Sequence, residues 1–259
     1  MATVAARAAG RVHKKYFRKK FKVRTKGASY DLLTVADTEA EKACVALIRK
    51  HFPDHNILAE ENRYPLTGSE YTWVIDPLDG TNNFACGIPI FCSSVALMRK
   101  GEVICGAVFD VVHNELFSAG KGKGAFLNGK RIRVNAASTL KEAMLITGFY
   151  YDRGKEMIET LERIKKFFMR RILGLRRLGA AALDLCFVAC GRAAGFWEFE
   201  LSPWDYAAGK LIVEEAGGKV TGRYGEKTEV RDKAFIVASN KKLHPIMLEV
   251  INEPDVCLR

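Results

Sequence analysis

The chain has 259 residues, 48% apolar and 27% charged, which excludes a disordered, collagenous or disulfide-stapled chain and allows one large domain or two packed halves. It contains no apolar run of about 18 residues to span a membrane and no N-terminal pattern of a secretory signal. The net charge of +11 is local: Arg7, Arg11, Lys14, Lys15, Arg18, Lys19, Lys20, Lys22, Arg24 and Lys26 fall in a stretch without acids, leaving 31 basic against 30 acidic residues over 27–259.

In chain order, residues 2–21 read as a helix with Val4, Ala5, Ala8, Val12, Tyr16 and Phe17 on an inner face and the cations outside. That outer face is the solvated side of a packed helix, or a surface for weak contact with RNA, transcription machinery or an anionic membrane. Residues 22–34 lack a period and predict a loop or hairpin. A second helix is expected over 35–51, with Val35, Ala43, Leu47 and Ile48 inward and Pro53 closing it. NILAEE (56–61) and YTWVIDP (71–77) are strands, and Pro77 stops the second. Residues 90–120 form a meander turning at Lys100-Gly101, continued through Asn128-Gly129, a strong hairpin signal.

Beyond residues 139–145 strands alternate with helices. Strands are predicted in AMLITGF, RILGLRRL, AGFWEF, GGKVT and AFIVASN, and helices near 152–168, 180–190, 205–216 and 243–252. The chain thus divides into an α+β half with an antiparallel sheet (1–138) and an α/β half (139–259). Seven cysteines, an odd number without a C-x-x-C pair, several in apolar runs such as that of Cys186 and Cys190, suit buried reduced thiols of a cytoplasmic protein. The five His are not spaced with them as zinc ligands.

Three segments carry chemistry. In Trp73-Val-Ile-Asp-Pro-Leu-Asp-Gly-Thr-Asn-Asn-Phe84 a strand delivers Asp76, Pro77 ends its ladder, and Asp79 follows at the strand's end. Gly80 and Thr81 open a helix or turn whose N–H groups favour an anion. Two carboxylates beside an anion site suit hard divalent cations bridging a phosphate. The second segment runs from Trp204-Asp205 to Gly217-Gly218, with Asp205 at a helix N-terminus, and the third is Leu58-Ala59-Glu60-Glu61. Taken singly, each has an ordinary reading as a cap, a turn or surface charge.

In order and spacing the three resemble the inositol monophosphatase family of Mg²⁺-dependent, lithium-sensitive phosphatases, which is related to fructose-1,6-bisphosphatases. The first matches W-x-I-D-P-[LI]-D-G-T-x-N-F and the second W-D-x-A-A-G…E-A-G-G. The resemblance runs from about Lys26 to Asn240 and looks nearest the bacterial and archaeal members. It implies the layered αβαβα sandwich of the sugar phosphatase fold and a cytoplasmic, homodimeric phosphomonoesterase acting on myo-inositol monophosphate, or also on fructose 1,6-bisphosphate. By the same resemblance Glu60, Asp76, the Leu78 carbonyl, Asp79 and Asp205 hold two to three Mg²⁺ ions. Asp76 bridges two of them, with a weaker ion near Glu60. Thr81, with Asp37 as its partner, orients the attacking water. Gly80 and Thr81 receive phosphate oxygens, while Gly179, Ala181, Glu198, Asp79 and Asp205 contact the substrate. Lys26 falls on a loop that closes over the third ion.

The chain departs from the pattern at Asn82, where a second Thr is common, at Ala85-Cys86-Gly87, and at Glu200, where Gly is frequent. None of these removes a metal ligand. For a second phosphate, Arg170, Arg171, Arg176 and Arg177 are the candidate cations, and only some of them can face inward.

Overall fold

The computed structural model describes residues 1–19, 23–25, 32–149 and 153–254. In chain order these form α1 (Ala2–Tyr16), β1 (Val23–Thr25), β2 (Leu32–Thr34), α2 (Val35–His51), β3 (Asn56–Ala59), β4 (Tyr71–Asp79), α3 (Thr81–Ala85), β5 (Cys92–Arg99), β6 (Glu102–Asp110), β7 (Glu115–Gly120), β8 (Gly124–Leu127) and β9 (Lys130–Arg131). They continue with β10 (Met144–Thr147), α4 (Lys155–Met169), β11 (Gly174–Arg176), α5 (Ala181–Ala189), β12 (Gly195–Leu201), α6 (Pro203–Glu215), β13 (Gly218–Thr221), β14 (Ala234–Asn240) and α7 (Leu243–Asn252). Lys20, Lys22, Lys26 and Cys257 lie outside the described residues.

Strands β3 to β9 make a seven-stranded sheet in sequence order, and β3 alone runs parallel to its neighbour. A five-stranded sheet has the order β11-β10-β12-β14-β13. It is mixed: β10 is parallel to both its neighbours, while β14 is antiparallel to β12 and β13.

Strand alternation sorts side chains between layers. Trp73 and Ile75 of β4 pack with α1 and α2, while Val74 faces the cluster of α5 and α6. In the second sheet Ile146, Phe196, Ile236 and Ala238 join that same cluster. Leu145, Trp197 and Val237 turn away to Phe167 of α4 and to Leu243 and Met247 of α7. The layers run helix, sheet, helix, sheet, helix, which is the αβαβα sandwich.

Two details of the predicted helices change. α1 ends at Tyr16, not 21, because Phe17 takes an extended ψ of 132° and packs on Phe84 and Phe91, with ring centroids 5.6 and 4.8 Å away. Its buried side is built from Ala2, Ala5, Ala6, Ala8, Ala9, Gly10 and His13, whereas Val4 is exposed. In α2 the buried positions are Ala36, Asp37, Ala40, Glu41, Cys44 and Ile48, so the inner stripe is rotated from the one predicted and two acids lie in it. Apolar spacing marks mainly large side chains, whereas a helix packed on a sheet beside a polar cleft buries small and acidic residues too. The segment after α1 contributes an antiparallel pair, β1 with β2. The turns at Lys100-Gly101 and Asn128-Gly129 place both residues at positive φ (51° and 81°; 48° and 78°), as primed hairpin turns require.

Candidate active site

The centre of the site is the end of β4. Pairing of β4 with β5 shifts register between Asp76 and Asp79, where Pro77 cannot donate to the ladder. The freed chain turns on itself, and Leu78 N donates to Asp76 Oδ1 at 3.0 Å. Gly80 follows at φ 91°, and a Cβ there would lie 2.9 Å from Ile90 O, so both conformation and space demand glycine. α3 then begins at Thr81, and the N–H groups of a first helical turn have no partner within the helix.

Distant segments close around this turn. Asp37 is the third residue of α2, fully buried in a capping box. Its Oδ2 accepts from Thr34 N at 2.7 Å and Thr34 Oγ1 at 2.6 Å. Its other oxygen, Oδ1, lies 2.8 Å from Thr81 Oγ1, which is also 2.9 Å from Leu78 O. Glu60 follows β3, and its N donates to Ile75 O at 3.2 Å. Buried Glu41 steadies the chain beyond it by accepting from Glu61 N, Asn62 Nδ2 and Tyr64 OH at 2.8–2.9 Å.

The second half adds the far wall. Ala182 N, in the first turn of α5, donates to Asp79 Oδ2 at 2.7 Å, and Asn83 Nδ2 reaches both Ile90 O and Leu178 O at 2.7 Å. β12 bulges between Glu198 and Leu201, and Glu200 there takes φ 54°. The residue at which Gly is frequent in the motif therefore occupies the left-handed region, at a cost of about 1–2 kcal/mol. The Glu198 carboxylate lies directly against Cα of Gly148, where any Cβ would overlap it. Asp205 is not the cap of α6, as the sequence implied. Ser202 is, and Asp205 closes a capping box from the third position, its Oδ2 accepting from Ser202 N at 2.7 Å.

One cleft of about 410 Å³ is lined by Glu60, Asp76, Leu78, Asp79, Gly80, Thr81, Gly179, Ala181, Glu198 and Asp205, with Phe149, Arg177, Glu200, Trp204 and Lys233 among the others. Every metal, water-orienting and substrate-contacting residue that the resemblance implies reaches it except Asp37, which stands behind Thr81, and Lys26, which is outside the described residues. Of the four arginines, Arg177 lines the cleft, Arg170 pairs with Glu253 and Arg176 bonds its neighbour's carbonyl. Asn83, Glu41, Phe149 and Lys233 were missed. For Asn83 the only signal was its place inside the first motif, and Lys233 sits in a polar loop without pattern.

Burial and mutual repulsion raise the proton affinity of this acidic group. Asp76 and Asp205 are pushed well above the ordinary carboxylate value, first by burial and then by Glu60 and neighbouring aspartates. Asp79 is raised to about 7 and Glu198 to about 8, burial again leading. Among the described residues no three such side chains already converge as a closed ion cage. The donor set still fits hard divalent cations: it is all oxygen, acidic and crowded, and such ions leave several positions to water and phosphate.

The carboxylates predict a pH effect with a defined sign. A carboxyl whose folded pKa is raised stabilises the fold fully below its unfolded value, about 4, and that contribution is lost as pH rises through the folded value, about 7 for Asp79. The thermal midpoint of the metal-free chain is expected to fall between about pH 5 and 8, and Mg²⁺ to raise it more at the upper end. Differential scanning fluorimetry with and without Mg²⁺ checks this. An equal Mg²⁺ effect at both ends would show that these groups do not share an ion.

Comparison with known proteins gives the family and the fold. The inositol monophosphatase family model matches residues 1–254. The chain is 45% identical to "Phosphatase IMPL1, chloroplastic" of Arabidopsis thaliana over 87% of its own length and 62% of that relative's. It is 42% identical to a "Fructose-1,6-bisphosphatase/inositol-1-monophosphatase" of Aquifex aeolicus, covering 96% and 93% of the two chains. Among solved structures, the extragenic suppressor protein suhB of Bartonella henselae superposes with a TM-score of 0.91 at 37% identity, covering 96% of each chain.

Proposed function

The chain belongs to the inositol monophosphatase family and is a metal-dependent phosphatase; from that premise we propose that it hydrolyses myo-inositol monophosphate with two to three Mg²⁺ ions held by Glu60, Asp76, the Leu78 carbonyl, Asp79 and Asp205. The observation that carries this reading is the meeting, in one cleft, of four carboxylates with the Thr81–Asp37 pair. The ions, when bound, supply charge stabilisation and lower the pKa of a bound water.

The chain's own groups do the rest. Thr81 has one hydroxyl proton, and giving it to Asp37 leaves the hydroxyl oxygen as an acceptor aimed at an attacking water. Asp37 cannot swing away, because Thr34 holds its other oxygen twice. The N–H groups of Gly80 and Thr81 receive phosphate oxygens, and Glu198, seated on Gly148, accepts from substrate hydroxyls. Phosphate release from inositol 1-phosphate, with and without Mg²⁺, tests the reading. No turnover on any polyol or sugar phosphate would overturn it.

A second substrate, fructose 1,6-bisphosphate, is favoured by the Arg177 and Lys233 side chains on the cleft wall. A charge-assisted bond to a second phosphate makes Arg177→Ala lower kcat/KM for the bisphosphate by about tenfold or more, and affect the monophosphate less. Equal losses on both substrates would assign Arg177 to neither phosphate in particular.

The assembly we propose is a homodimer through α4 and β11. Phe168, Met169 and Leu173 are 53%, 66% and 65% exposed, Ile158 and Leu161 of α4 are exposed too, and β11 is a sheet edge. Several exposed large apolar side chains on one helix and the strand edge after it are the mark of an interface. Leu173→Glu with Phe168→Glu should yield a monomer by sedimentation velocity.

A further inference from the structure

His13 is fully buried in the last turn of α1, far in sequence from the cleft. Its Nε2 lies 2.8 Å from Pro77 O. A carbonyl only accepts, so Nε2 carries the ring proton. Burial drops the imidazole pKa to about 4, which keeps the ring neutral at physiological pH and fixes that tautomer. Nδ1 has no hydrogen-bond partner among the described residues. The ring stands edge-on to Phe84 and Phe91, at centroid distances of 6.1 and 5.7 Å, so its orientation is held by aromatic packing.

The same peptide unit that receives this bond makes another. Its carbonyl is that of Pro77 and its N–H is that of Leu78, which donates to Asp76 Oδ1 at 3.0 Å. One hydrogen-bonded line therefore runs from the α1 imidazole through the Pro77–Leu78 peptide to the Asp76 carboxylate. Bonds in such a line polarise one another, so a donor on the carbonyl strengthens the N–H beyond it. Proline gives this turn no N–H of its own, so little else among the turn's groups fixes the plane of the next peptide.

We propose that His13 is a positioning residue: by donating to Pro77 O it sets the Pro77–Leu78 peptide plane, and through it the orientation of Asp76 for metal binding. This rests on the reading of Asp76 as a metal ligand. The arrangement explains why a histidine sits in an otherwise alanine-rich buried face. It also gives α1 a role in the site although none of its residues lines the cleft.

The test uses the full chain stripped of metal, with Mg²⁺ binding followed by calorimetry. His13→Gln keeps an N–H donor near the Nε2 position, and His13→Phe keeps a ring without one. Loss of a bond that orients a ligand typically costs 10–100-fold in metal affinity, so His13→Phe should weaken Mg²⁺ binding about tenfold or more and leave KM at saturating Mg²⁺ within about twofold. His13→Gln should recover affinity to within about threefold of the parent. In the unmutated chain, ¹⁵N NMR of the imidazole should show the Nε2–H tautomer, and its signal should move as Mg²⁺ is added.

A folded His13→Phe chain binding Mg²⁺ like the parent, equal losses in both variants, an Nδ1–H tautomer, or an imidazole signal indifferent to Mg²⁺ would each overturn the proposal. If His13→Phe does not fold, the tautomer and its Mg²⁺ response decide. Asp76→Asn, run alongside, separates the two readings. Undiminished binding there refutes ligation by Asp76 itself, whereas loss there with normal binding in His13→Phe refutes only the role of His13.

Discussion

Asp205→Asn is expected to reduce turnover by orders of magnitude while the chain stays folded. Asp205 does two things at once. Its Oδ2 accepts from Ser202 N at 2.7 Å and closes the start of α6, and its carboxylate faces the cleft beside Asp76 and Asp79. The amide of Asn retains an oxygen for the cap, so the helix keeps its N-terminus. What disappears is one negative charge whose proton affinity is raised first by burial and then by the repulsion of Glu60 and Asp79. The metal-free variant should therefore melt no lower than the parent, and its advantage should grow as pH rises and more of these carboxyls ionise. Its Mg²⁺ requirement should rise steeply, because a hard cation is held mainly by anionic oxygen. Activity against Mg²⁺ concentration, with melting curves on the same samples, checks both halves. Near-normal turnover at millimolar Mg²⁺ would reduce Asp205 to a capping residue.

Thr81→Ala is expected to lower kcat by about 10²-fold or more with little change in Mg²⁺ affinity. The hydroxyl is 2.8 Å from Asp37 Oδ1; alanine ends at Cβ and leaves that position empty, which under the proposed mechanism removes the acceptor offered to the attacking water. That acceptor matters most as the water gives up its proton, so the loss should fall on kcat more than on KM. Asp37 would lose one of its hydrogen bonds, and burial would then hold its carboxyl still further above the ordinary range. An ordinary turn residue in the same place would cost about 1 kcal/mol of stability and leave kcat alone. Steady-state kinetics at saturating Mg²⁺, combined with a calorimetric Mg²⁺ titration, distinguishes the outcomes.

Much of the local structure was legible in the residues. β4, the meander β5–β7, both hairpin turns and the helices α2, α5 and α7 lie where alternation, helical spacing and turn residues put them, because those signals act between neighbours two to four positions apart. The motif around Asp76 and Asp79 likewise exposed a polar site at a strand end. α1 was less legible. Its inner face is mostly alanine, which contrasts weakly with its polar side, so the spacing places Val4 inward, where it is exposed, and gives no place to His13, which is buried.

From its sequence alone the chain declared its family, its strands and helices, and which carboxylates to suspect. Where those groups meet was decided by the tertiary structure. Thr81 and Asp37 are 44 positions apart, Ala182 and Asp79 are 103 apart, and His13 and Pro77 are 64 apart. No local pattern encodes such distances. The packing of α1 and α2 on one face of the first sheet, and of α5 and α6 on the other, brings a helix start, a helix end and a broken strand to one point. A hydrogen bond or a shared ion needs placement to a few tenths of an ångström, and only close packing of complete layers supplies that.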